Sequence, residues 1–171
     1  MPSQLVISCS HALAERSLTV AFVESATAGR ISAEFSLCED SGKVLKGGLV
    51  CYDASLKESI LRVPREMLER FTPESAEVTQ ELADRLQTFI PADVHIALTG
   101  LTTPGGSETE EKPVGTIFIH AFLKGKSVPV REVFTGSAEE IVLKSVDRAA
   151  QLILDEIPFG RLIQEESSIN E

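Results

Sequence analysis

The chain has 171 residues, 43% of them hydrophobic, which suffices for one domain whose core needs neither disulfides nor a metal. A formal net charge of -10 excludes a general surface for nucleic acid or anionic membrane, so a phosphate-bearing ligand would need a local site. Cys9, Cys38 and Cys51 show no Cys-x-x-Cys spacing and no paired histidine, indicating neither a disulfide framework nor a zinc site and suiting a reducing cytoplasm.

In the first segment Leu5, Val6, Cys9, Ala12 and Leu13 recur at helical spacing, with Ser3 placed to cap. No basic run precedes a continuous apolar stretch there, so the segment reads as an amphipathic helix rather than a signal peptide or a membrane span. A short buried strand is expected at 19–24, then the small-residue run SATAG, then a helix carrying Ile31, Ala33, Phe35 and Leu37. Residues 47–52 read as a second strand, and the segment after them, SLKESIL, as helical. Thr72 and Pro73 suit a helix start, with Val78, Leu82, Ala83, Leu86, Phe89 and Ile90 on its buried face and Pro91 at its end.

A third strand, 94–99, feeds the loop TGLTTPGGSETEEKPVG, and two more strands, 114–123 and 128–136, form an antiparallel hairpin. Ser137 and Glu140 make a capping box, and Val142, Val146, Ala149, Ile153 and Ile157 stripe the last helix. The expected architecture is one α/β domain over 1–158, a three-layer α/β/α sandwich around a mixed, mostly parallel sheet, followed by a polar tail at 159–171.

Polar residues collect at strand ends, where open α/β sheets bind ligands. Glu24 and Ser25 close the first strand, and Thr27, Ala28 and Gly29 open a helix whose free amides suit an anion, although small residues there also allow close packing. Tyr52 and Lys57 flank a turn; a lysine in a partly apolar pocket loses proton affinity and can act as base toward a hydroxyl. Asp93, His95 and His120 lack ligand spacing, and the two histidines read as satisfied core or edge residues. A loop of this length between two core strands points to function, while the loop alone leaves simple chain reversal open.

Taken together, VESATAG, GLVCYDASLK and TGLTTPGG with EKPVGTIF resemble, in order and over nearly the whole chain, the C-terminal domain of competence/damage-inducible protein A, the nicotinamide mononucleotide amidohydrolase family. The resemblance implies a three-layer fold, a homodimer, no metal or other cofactor, and hydrolysis of the nucleotide's carboxamide to nicotinate mononucleotide and ammonia. It implies catalytic roles for Tyr52 and Lys57, a substrate contact at Thr99, and a loop through Gly100, Gly105 and Gly106 that wraps the nucleotide, with Ser25, Thr27 and Gly42 beside it.

The family nucleophile is placed by this comparison in a Gly-Ser-Ser run, where counting back from Tyr52 reaches Gly42, with Ser41 one position early. Basic positions of the family fall on Ala138 and Val142, and Ala26 and Ala28 replace a Cys and a Gly. The expectation is therefore weak or lost activity, with Ser41, Ser25 or Thr27 as substitute hydroxyls; the alternative is a non-catalytic homologue that binds a nucleotide or a protein partner.

Overall fold

The structure is a computed structural model that describes residues 1–157; the expected tail at 159–171 lies outside the described residues. Helix α1 (Gln4–Glu15) is capped by Ser3, whose hydroxyl accepts from the Val6 amide at 3.2 Å. It leads to β1 (Val20–Glu24), α2 (Arg30–Ser36), the short α3 (Ser41–Val44), β2 (Leu45–Val50) and α4 (Ala54–Ser59). Helices α5 (Arg65–Phe71) and α6 (Ala76–Phe89) precede β3 (Val94–Gly100), the hairpin β4 (Thr116–Leu123) and β5 (Lys126–Val133), and α7 (Ala138–Glu156).

The five strands form one sheet in the order β2-β1-β3-β4-β5. β1 lies parallel to both neighbours, whereas β3 with β4 and β4 with β5 pair antiparallel, so the sheet is mixed, with two pairings of each kind rather than the mostly parallel arrangement expected, because the 116–133 hairpin adds both antiparallel pairings. β1 is buried on both faces. Val20 and Phe22 pack into a core with α1, α2 and α7, while Ala21 and Val23 face a second core built on Leu61, Val63 and the buried side of α6. Helical layers on both faces follow from that double burial. Among the described residues no helix is long and apolar enough to cross a membrane.

Several boundaries differ from the sequence reading. β2 starts at Leu45, because residues 45–50 pair with β1, and Tyr52 therefore lies beyond the strand. The cap of α6 is Ser75, whose hydroxyl accepts from the Val78 amide at 3.3 Å, while Thr72 sits outside the helix with a positive φ of 68°. Phe89 is 52% exposed and leaves the buried face. α5 is an additional helix without a buried residue, which is why apolar periodicity does not reveal it. In α7 the capping box is present, but the buried stripe runs through Ile141 rather than Val142.

Between β3 and β4 the chain is pinched. Leu101 donates its amide to the Thr116 carbonyl (2.9 Å) and accepts from the Gly115 amide (2.7 Å), so residues 102–114 form an excursion beyond a closed neck. Gly115 has φ +96°, and a Cβ there would lie 1.9 Å from the Phe134 carbonyl oxygen. Only glycine lets these two backbones cross.

Candidate active site

Glu24 closes β1 without solvent exposure, and its carboxylate organises the turn into α2. Oε2 accepts from Thr27 Oγ1 (2.7 Å), the Gly29 amide (3.0 Å) and the Ile31 amide (3.1 Å). Oε1 accepts from the Ser32 amide (2.9 Å) and Ser32 Oγ (2.6 Å). An acceptor-only side chain is matched to five donors. Thr27 is committed to this cluster and is buried, so its expected contact with a ligand is corrected to a structural one.

Ser25 follows directly. Its amide continues the β1–β3 ladder by donating to the Leu98 carbonyl at 3.0 Å, while the Cys51 amide donates to the Glu24 carbonyl at 2.8 Å. These two bonds bring the ends of β1, β2 and β3 together at the carboxyl edge of the parallel strands. Asp53 caps α4 by accepting from the Ser55 amide at 2.8 Å, and one turn later Lys57 points back under the strand ends. Lys57 has no solvent exposure, and its Nζ donates to Ser25 Oγ and to the Cys51 carbonyl, each at 3.1 Å.

Burial pushes the Lys57 amine below the ordinary lysine range, opposed first by the Glu74 carboxylate. Once deprotonated, the same nitrogen can accept the Ser25 proton. The amides of Ala26 and Thr27 have no hydrogen-bond partner among the described residues. A hydroxyl, a buried amine and an unoccupied amide next to the hydroxyl are the parts that acyl transfer requires.

Above Ser25 lies an open cleft of about 210 Å³, walled by Ala26, Tyr52, Glu74 and the segment from Gly100 to Gly106. That is smaller than the roughly 300–1,000 Å³ that encloses a whole drug-sized ligand, so the space suits the reacting end of one. Tyr52 is 60% exposed and stands at the rim with no hydrogen bond to Lys57. Thr99 is buried beneath the cleft; Thr79 gives its proton to the Ser75 carbonyl (2.6 Å), so the 2.8 Å contact between the two threonines is donated by Thr99. Thr99 thus braces α6 against β3.

The loop is held from two sides. The Gly105 and Gly106 amides donate to the two oxygens of Glu108 at 2.7 and 2.8 Å, and the Gly105 bond chiefly holds that carboxyl below the usual range. Lys112 Nζ donates to Thr72 Oγ1, the Glu74 carbonyl and Ser107 Oγ at 2.8–2.9 Å. Ser107 in turn donates to Glu74 Oε2 at 2.6 Å. Sequence reasoning did not single out Glu74, Ser107, Glu108 or Lys112; the last three fall within the GGSETEEK run of the loop, and nothing marked Glu74.

Ser25, Tyr52, Lys57, Gly100, Gly105 and Gly106 therefore converge at this edge, but Ser41 and Gly42 do not. They precede β2, and its six residues place them about 20 Å from Lys57. Neighbouring Asp40 accepts from Lys43 at 2.8 Å and lies 3.3 Å from His11 of α1, at the opposite end of the sheet. Within one chain Ser41 cannot act with Lys57, and the glycine at 42 removes nothing from the cleft. Ala138 and Val142, on α7, do not line it either. His95 and His120 are satisfied by the Ile90 carbonyl (2.9 Å) and Ser127 Oγ (2.7 Å).

Fold and cleft define an α/β domain with a serine–lysine pair at the carboxyl edge of its parallel strands. The sequence model of the CinA C-terminal domain matches residues 3–157. A CinA-like protein of Thermosipho melanesiensis is 35% identical over 137 residues, 79% of this chain and 34% of its own length. A putative competence-damage inducible protein of Clostridioides difficile is 33% identical over 148 residues, 86% of this chain and 34% of its own. The chain thus spans about a third of the length of these relatives. Among solved structures, competence damage-inducible protein A of Klebsiella pneumoniae superposes with a TM-score of 0.86 at 25% identity, covering 92% of this chain and 98% of that one. A CinA superfamily protein of Escherichia coli does so at 0.80 and 30%, covering 88% of each. The chain belongs to the CinA C-terminal domain family.

Proposed function

We propose that this domain is a serine amidohydrolase with Ser25 as nucleophile and Lys57 as its base, acting on the carboxamide of nicotinamide mononucleotide. The chemistry is supported by one observation above the others: a hydroxyl on the cleft wall 3.1 Å from a fully buried amine. The substrate is supported by the family resemblance. Ser25 Oγ attacks the amide carbon while Lys57 takes its proton, and the Ala26 amide receives the developing oxyanion. Protonated Lys57 then delivers a proton to the departing nitrogen, which leaves as ammonia, and water cleaves the acyl-enzyme to release nicotinate mononucleotide and restore Ser25.

This reading replaces the lost nucleophile expected at Gly42 with a retained one at Ser25. Ala138 and Val142 lie away from the cleft, so the basic side chains missing there take nothing from it. Ammonia release from nicotinamide mononucleotide tests the proposal. Turnover is expected in the wild type, lost by on the order of 10³–10⁶ in Ser25→Ala and Lys57→Met and preserved in Ser41→Ala. Binding of the nucleotide without ammonia would favour the non-catalytic homologue instead.

A homodimer in the cytoplasm completes the proposal. The exposed Val50 and Tyr52 beside the edge strand β2 offer a surface for a second copy, and the three cysteines are free. Light scattering that returned 18.5 kDa at every concentration would remove the dimer.

A further inference from the structure

The cleft is unusual in its charge. Among the described residues that wall it, Glu74 alone is acidic and none is an arginine or a lysine. Glu74 stands just before α6, where an acidic group ordinarily serves the helix end. That service is already performed by Ser75, whose hydroxyl accepts the Val78 amide. The Glu74 carboxylate is instead aimed by a relay. Lys112 donates to Ser107, so the Ser107 proton is committed to Glu74 Oε2 at 2.6 Å.

Oε1 has no hydrogen-bond partner among the described residues. Lys112 also fixes the Glu74 backbone through its carbonyl at 2.9 Å and does not itself line the cleft. The second lysine nearby, Lys57, is beneath the floor behind Ser25. What faces the cleft is a half-buried carboxylate and, at the rim, the exposed ring of Tyr52. Both attract a cation: one by its charge, the other by the negative face of its ring.

We propose that Glu74 is the specificity-determining residue of this site, selecting a carboxamide carried on a cationic aromatic ring over the same carboxamide on a neutral ring. This inference rests on the amidohydrolase reading, whose nucleotide carries its carboxamide on a cationic pyridinium ring, and adds the residue that recognises that charge. Ser107 and Lys112 are positioning residues that hold the carboxylate toward the cleft.

Titration calorimetry with 1-methylnicotinamide, a cation, and nicotinamide, its neutral counterpart, separates charge from chemistry. The wild type is expected to bind the cation about tenfold more tightly. Glu74→Gln keeps the acceptor for Ser107 and the shape of the side chain, and is expected to bring the preference to about twofold or less with neutral binding unchanged. Ser107→Ala is expected to fall between the two. An unchanged preference in Glu74→Gln, a preference for the neutral ring in the wild type, or no binding of either compound overturns the assignment. Ammonia release, read separately, reports the reaction alone: an inert wild type that retains the Glu74-dependent preference would refute the amidohydrolase and leave the charge selection standing.

Discussion

Replacing Glu24 by glutamine changes one oxygen into an NH₂ group inside a cluster whose five groups all donate to it. The amide nitrogen has two possible placements. At the Oε2 position it would oppose Thr27 Oγ1 and the amides of Gly29 and Ile31; at the Oε1 position it would oppose the Ser32 amide and hydroxyl. The second is less costly, since the Ser32 hydroxyl can rotate to accept, leaving one backbone amide unpaired. Hydrogen bonds to a charged group contribute about 1.5–3 kcal/mol each, and a buried orphaned donor costs about 1–3 kcal/mol. Loss of the Ser32 amide bond together with the charge on the remaining three gives an expected destabilisation of about 3–4 kcal/mol. That is a large part of the roughly 5–15 kcal/mol that holds a domain folded. Urea unfolding followed by circular dichroism measures it, with Glu24→Asp as the control that keeps the charge and shortens the reach. A loss below about 1 kcal/mol for Glu24→Gln would refute the claim that this carboxylate organises the turn presenting Ser25.

Three further outcomes are expected. Gly115→Ala should destabilise by more than about 3 kcal/mol, since the new Cβ meets the Phe134 carbonyl at 1.9 Å on a positive-φ backbone; a melting temperature unchanged from wild type would contradict the crossing. Lys57 binds fewer protons folded than unfolded between its lowered folded pKa and about 10.4, so wild-type stability should rise with pH across that window, and Lys57→Met should lack this rise; parallel urea midpoints for the two proteins from pH 7.5 to 9.5 would oppose the burial argument. All three cysteines are buried, with the Cys9 thiol pushed up to about 12 by burial, so a thiol reagent at pH 8 should label none until denaturant opens the fold; rapid native labelling would contradict this.

β1 and β3 were legible because burial on both faces leaves them mostly apolar, with His95 the one polar interruption before their carboxyl ends, and α7 because its capping box and stripe occur together. β2 was displaced because an edge strand alternates between half-buried and exposed positions, and Gly47 and Gly48 obscure where pairing begins. At the site, sequence reading expected Ser25, Tyr52, Lys57 and the glycine loop together from their places at strand ends, and the structure sets them at one edge of the sheet. It failed on Ser41, because counting positions back from Tyr52 does not register that β2 carries the chain from one edge of the sheet to the other. It also failed on Thr27, whose hydroxyl turns to Glu24 rather than to the cleft. Glu74 was invisible for another reason: its position depends on Lys112 reaching back across 38 residues to its carbonyl.

The neck formed by Leu101, Gly115 and Thr116 separates the strand pairing from whatever lies beyond it. Chain length beyond a closed neck costs little, since doubling a loop adds only about 0.6 kcal/mol of closure entropy. The wall of the cleft is thus an interchangeable part: its residues can be lengthened, shortened or rewritten while β3 and β4 keep their register. Ligand preference and fold can therefore change on separate evolutionary schedules in this domain, and grafting a relative's loop between Leu101 and Gly115 becomes a practical route to a new preference.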